Sequence, residues 1–85
     1  MPTTIDGLTE EAIRYNIYAF GTDVKRWQRK LDRSRTPHTK ARYNTEVAFA
    51  KRMVANNQAR LRTLEIERRE ALTATLTRLR TRSNH

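Results

Sequence analysis

The chain has 85 residues, of which 36% are hydrophobic and 32% charged, enough for one small domain with a thin core and too little for a multidomain enzyme. Lys and Arg number 18 against 9 Asp and Glu, a net charge of +9, so the partner expected first is a polyanion or an acidic protein surface. There is no cysteine, which removes disulfides and thiolate zinc sites, fits an intracellular chain and leaves stability to packing or assembly. The longest strictly apolar run, Val47 to Ala50, is far short of the roughly 20 residues that span a bilayer, and residues 1–20 show no signal-peptide pattern. A soluble protein with no membrane partner is expected.

Thr9, Glu10 and Glu11 mark the first helix start: a hydroxyl to cap orphan amides, then carboxylates at the positive end of the dipole. Leu8 and Ile13 stand at hydrophobic-staple positions. Ile13, Ile17, Phe20, Val24, Trp27 and Leu31 then repeat at alternating steps of four and three, an uninterrupted heptad seam over a helix spanning residues 9–33. Gly21, followed by Thr22 and Asp23, could end one helix and cap another, but the seam keeps its phase from Phe20 to Val24. A continuous helix is therefore expected, in which Gly21 costs about 1 kcal/mol relative to Ala. Close approach of a neighbouring chain and a merely tolerated site both account for this glycine.

Residues 34–37 form the connection, with Thr36 as a cap and Pro37 at the first helical position. The second helix, over residues 38–82, carries Tyr43, Val47, Ala50, Val54, Asn57, Leu61 and Leu64 on one heptad stripe. A four-residue phase shift, resembling a stutter, continues the stripe through Arg68, Leu72, Leu76 and Leu79. Asn57 is either a buried, register-setting amide or a point where the seam reaches solvent. The two helices extend about 37 and 67 Å, so roughly 30 Å of the second has no partner in an antiparallel hairpin. Either the C-terminal segment bends back at the phase shift, or Leu72, Leu76 and Leu79 pack on another chain, which is the expectation adopted. The expected fold is thus all-α, an antiparallel helical hairpin with a long, overhanging second helix and coiled-coil-like packing, in one domain and as a homo-oligomer.

Catalytic machinery is sparse. His38 at the turn and His85 at the terminus have no second His or Cys at ligand spacing, so no metal site is expected. Ser34 and Ser83 lack a paired base, and two glycines cannot make a phosphate-binding fingerprint. Glu65, Glu67 and Glu70 interleave with Arg68 and Arg69, the pattern of a solvated, salt-bridging face. The chain is read as a non-enzyme without cofactors.

Charge is unevenly distributed. Residues 1–24 carry a net −3, whereas residues 25–42 carry Lys25, Arg26, Arg29, Lys30, Arg33, Arg35, Lys40 and Arg42 against Asp32, a net +7. Folded as a hairpin, these eight cations converge on the tip, most of them outside the Val24, Trp27, Leu31 seam, where they can reach phosphates. The 14 Arg against 4 Lys suit bidentate phosphate contacts, and also suit a solubilising face paired to acidic neighbours. Trp27 and Tyr43 lie in the basic segment but on the seam, which makes them core residues rather than base-stacking platforms. Tyr15 and Tyr18 on the back of the first helix, Phe49 and Met53 away from the main stripe of the second, and the leucines of the overhang form a candidate protein interface.

The leading expectation is a nucleic-acid binder, for DNA or RNA, that makes phosphate contacts without strong sequence specificity. Packaging or regulation in a virus or mobile element fits so small a chain, which puts it in the cytoplasm, at the nucleoid or in a virion. The alternative is a non-enzymatic interaction subunit, such as an inhibitor, scaffold or assembly component, docking through its apolar helix faces.

Overall fold

A computed structural model describes residues 4–83. Two short strands, β1 (Thr4–Ile5) and β2 (Leu8–Thr9), precede two helices, α1 (Glu10–Arg33) and α2 (Pro37–Ser83). The helices form an antiparallel hairpin, and the molecule measures 74 × 17 × 15 Å. Its long dimension matches α2 itself, since 47 residues at 1.5 Å each extend about 70 Å. The second helix therefore overhangs and does not bend back.

Each helix begins as its sequence dictates. The Ala12 amide donates to Thr9 Oγ1 at 3.1 Å, and Glu10 and Glu11 occupy the first turn of α1. At α2 the Thr39 amide donates to Thr36 Oγ1 at 3.3 Å, with Pro37 as the first helical residue. Gly21 lies inside a continuous α1.

The strands are an addition that helical periodicity does not foreshadow. Asp6 and Gly7 both have positive φ, 54° and 76°, the signature of a type I′ turn, and pair Ile5 with Leu8 and Thr4 with Thr9. A two-stranded ribbon alone is marginal in water. This one packs on α2, where Arg60 Nε donates to Asp6 Oδ2 at 3.0 Å. It closes the end of the hairpin where Ile13, with no exposed surface, begins the core.

The core is narrow. Besides Ile13 it comprises Val47, Ala50 and Leu64, with Asn57 buried among them. Asn57 is the buried amide of the two options. Its Oδ1 accepts from Asn16 Nδ2 and from Arg60 Nη1, each at 3.3 Å, and its Nδ2 donates to the Met53 carbonyl at 2.8 Å. Asn16, which flanks the α1 seam, is a partner that apolar spacing could not reveal.

Two expectations require correction. Trp27 is half-buried rather than enclosed, because at the tip the two-helix layer has no third element to cover it. The stripe of α2 that faces α1 does not shift phase after Leu64: it runs on through Arg68, exposed but engaged by Glu10, to half-buried Ala71, and every residue from 72 to 82 is exposed. Leu72, Leu76 and Leu79 therefore lie off the hairpin seam.

Glu10 ties this end together. It accepts from Arg68 Nη2 at 2.6 Å and from Arg14 Nη2 at 3.0 Å, and the Arg68 guanidinium first, then Arg14, holds its carboxyl below the ordinary value. A carboxyl whose folded pKa is lowered stabilises the fold above its unfolded pKa and loses that contribution as pH falls through the folded value. Wild type should therefore exceed Glu10→Gln in urea midpoint near neutrality, and the difference should close on acidification through the carboxylate range. A difference that persists at about pH 2 would show that the glutamine acts by some route other than charge.

Candidate nucleic-acid interface

The tip is built from the last turns of α1, the connection and the first turns of α2. Ser34 leaves α1 in extended conformation, with its amide still donating to the Leu31 carbonyl at 3.1 Å, and the Lys40 amide donates to the Thr36 carbonyl at 3.0 Å. The hydroxyls of Ser34 and Thr36 both meet Thr39 Oγ1, the latter at 2.6 Å, and knit the two helix ends together. Thr36 and Thr39 are one turn apart at the start of α2, whereas Ser34 meets Thr39 only because the chain reverses between them.

Lys25, Arg26, Arg29, Lys30, Arg33, Arg35, Lys40 and Arg42 are all exposed. Arg26 Nη2 pairs with Asp23 Oδ1 at 2.9 Å. Among the described residues the other seven form no ion pair. Gln28 Nε2 donates to Asp32 Oδ1 at 3.0 Å, which occupies the one carboxylate within the basic segment.

Trp27 and Tyr43 stack across the two helices with ring centroids 5.8 Å apart and planes tilted by 32°. Lys30 Nζ lies 4.6 Å and Arg26 Cζ 5.7 Å from the Trp27 centroid, within cation–π range. The indole is thus a joint between the helices and a rest for two cations. Beside it an open cleft of about 300 Å³ is lined by Lys30, Arg33, Ser34, Thr39 and Tyr43. Cationic donors and hydroxyls converging on one concave surface are the chemistry that receives a phosphate oxygen.

The candidate protein-interface residues are divided. Tyr15 and Tyr18 are 68% and 74% exposed on α1. Phe49 is half exposed yet meets Phe20 edge-on, with centroids 6.3 Å apart, and Met53 is half-buried, so the hairpin itself takes up part of this pair. Leu72, Leu76 and Leu79 are each more than half exposed on the overhang.

Comparison with protein-family models, with curated proteins and with solved structures found no match. Among the described residues, no helix is long and apolar enough to cross a membrane.

Proposed function

We propose that the protein is a non-enzymatic, intracellular nucleic-acid binder that grips phosphates with its hairpin tip and does not read base sequence. A packaging or regulatory role, including in a virus or mobile element, suits a protein of this size. The observation that carries the reading is the concentration of exposed cations at one end of the rod, seven of them without a carboxylate partner among the described residues. A cation held by a neighbouring acid has little left to offer a phosphate, whereas these retain their donors.

The test is affinity for two unrelated duplexes and one RNA across a salt series. The variant of choice is Arg29→Gln/Arg33→Gln/Arg35→Gln, because these three side chains have neither an ion pair nor a ring contact whose loss would disturb the fold. Each neutralised duplex phosphate contributes a slope of about −0.9 on logarithmic axes, so the variant should flatten the salt dependence by roughly 2 to 3 and weaken both duplexes alike. A slope that does not move, in a variant of unchanged helicity, transfers the phosphate contacts elsewhere. Absence of wild-type binding at low salt removes the reading altogether.

A second reading rests on Tyr15 and Tyr18, two large exposed rings one turn apart on the same helix. They favour an interaction subunit whose partner is an acidic protein. Under that reading the purified protein carries no nuclease-sensitive absorbance at 260 nm.

A further inference from the structure

The hairpin seam occupies one face of α2, and a second face carries a heptad of its own. From Lys51, alternating steps of four and three run through Ala55, Gln58 and Arg62 to Glu65. The same steps continue unbroken through Arg69 to Leu72, Leu76 and Leu79, and every one of these nine positions is exposed. At its start this stripe forms one wall of an open apolar groove of about 290 Å³, with Gly21, Val24 and Lys25 of α1 opposite and Val54 between. Gly21 is not needed for packing within the hairpin, since a Cβ there would meet nothing within 4 Å. The three leucines are thus the far end of an intact second seam.

We propose that this stripe is the contact between two antiparallel copies of the chain, each laying its overhang along the groove wall of the other. Charge specifies the direction. In an antiparallel pair, a and d positions of opposite helices face each other. Setting Leu72 opposite Ala55 of the second copy places Leu76 opposite Lys51, Arg69 opposite Gln58, and Glu65 opposite Arg62. The twofold axis then passes between residues 63 and 64, and each pairing occurs twice. Opposite charges meet at the centre. Glu65 can reach across: its side chain is 46% exposed and Arg14, its cation within the chain, stands 3.8 Å away. At the ends a large side chain meets a small one, Leu72 on Ala55, or the aliphatic stem of Lys51. A parallel pair would instead stack Arg62, Glu65 and Arg69 each on its own copy, like charge on like.

Length requires the groove as well as the overhang. Residues 72–82 alone extend about 16 Å, too short to bury the roughly 1,200 Å² of a stable interface. From Lys51 to Leu79 the stripe extends about 42 Å, the scale of a small coiled-coil dimer. The stripe begins beside Lys25, at the inner margin of the basic segment, and runs away from the tip; the inference does not depend on the nucleic-acid reading.

Sedimentation of nuclease-treated protein at low salt should give a two-chain mass, and the Arg29→Gln/Arg33→Gln/Arg35→Gln variant should give the same mass whether or not it binds nucleic acid. Glu65→Arg alone, or Arg62→Glu alone, should weaken the dimer by about tenfold or more, and the double exchange should restore it. In this cysteine-free chain, Ala55→Cys/Leu72→Cys should oxidise to a covalent dimer while neither single variant does. One-chain mass up to high micromolar concentration overturns the proposal and assigns the face to a different partner. Crosslinking by either single-cysteine variant overturns the antiparallel register.

Discussion

Ile13→Ala should lower the unfolding free energy by about 2–5 kcal/mol, the range for deleting most of a buried aliphatic side chain and leaving a cavity. Ile13 has no exposed surface and stands where α1, α2 and the β1–β2 ribbon come together. Chains of this size hold of order 0.05–0.15 kcal/mol of stability per residue, so the loss is a large share of the total. Urea unfolding followed by far-ultraviolet circular dichroism is the measurement, with Ile13→Val as the graded comparison at about 0.5–1.5 kcal/mol. A change below about 0.5 kcal/mol for the alanine variant would mean that the N-terminal end frays independently and contributes nothing to the cooperative unit.

Asn57→Ala should cost about 1–3 kcal/mol through the polar groups it abandons, because Asn16 and Arg60 both donate to Asn57 Oδ1 in a part-buried setting. The paired change Asn16→Leu/Asn57→Leu removes the need for those bonds. It should recover or exceed wild-type stability while relaxing the alignment of the two helices, as buried amides at seam positions do elsewhere. A double-mutant cycle in urea should return a coupling of about 0.5 kcal/mol or more between the two asparagines. Additive effects would deny the 3.3 Å contact any energetic weight.

The two-helix architecture was legible because its signals repeat: six seam residues from Ile13 to Leu31 in one phase, then a Thr36-Pro37 start. The ribbon was not, although its cue is present in Asp6-Gly7 between Ile5 and Leu8, because two-residue strands are too short to show a period. The leucines of the overhang drew the stripe after Leu64 towards themselves. The face turned to α1 went instead through Arg68, which is exposed but tied to Glu10, and half-buried Ala71. The cations of the tip could be counted in the sequence because they are local to one segment. Their geometry could not, since the Trp27–Tyr43 joint and the Ser34–Thr39 hydroxyl contact form only across the reversal of the chain.

The 74 Å length has an electrical consequence. It exceeds the Debye length of about 8 Å at physiological ionic strength several times over, so the +7 segment at the tip and Arg78, Arg80 and Arg82 of the overhang at the opposite end hardly repel one another through solvent. Both ends of the rod are basic, and Asp6, Glu10, Asp23 and Glu65 are held between them in ion pairs. Near a polyanionic surface the tip, with the greater concentration of charge, would be drawn in more strongly than the overhang. The antiparallel pair carries a basic tip at each end, so a dimer that binds a polyanion would link two such strands rather than coat one.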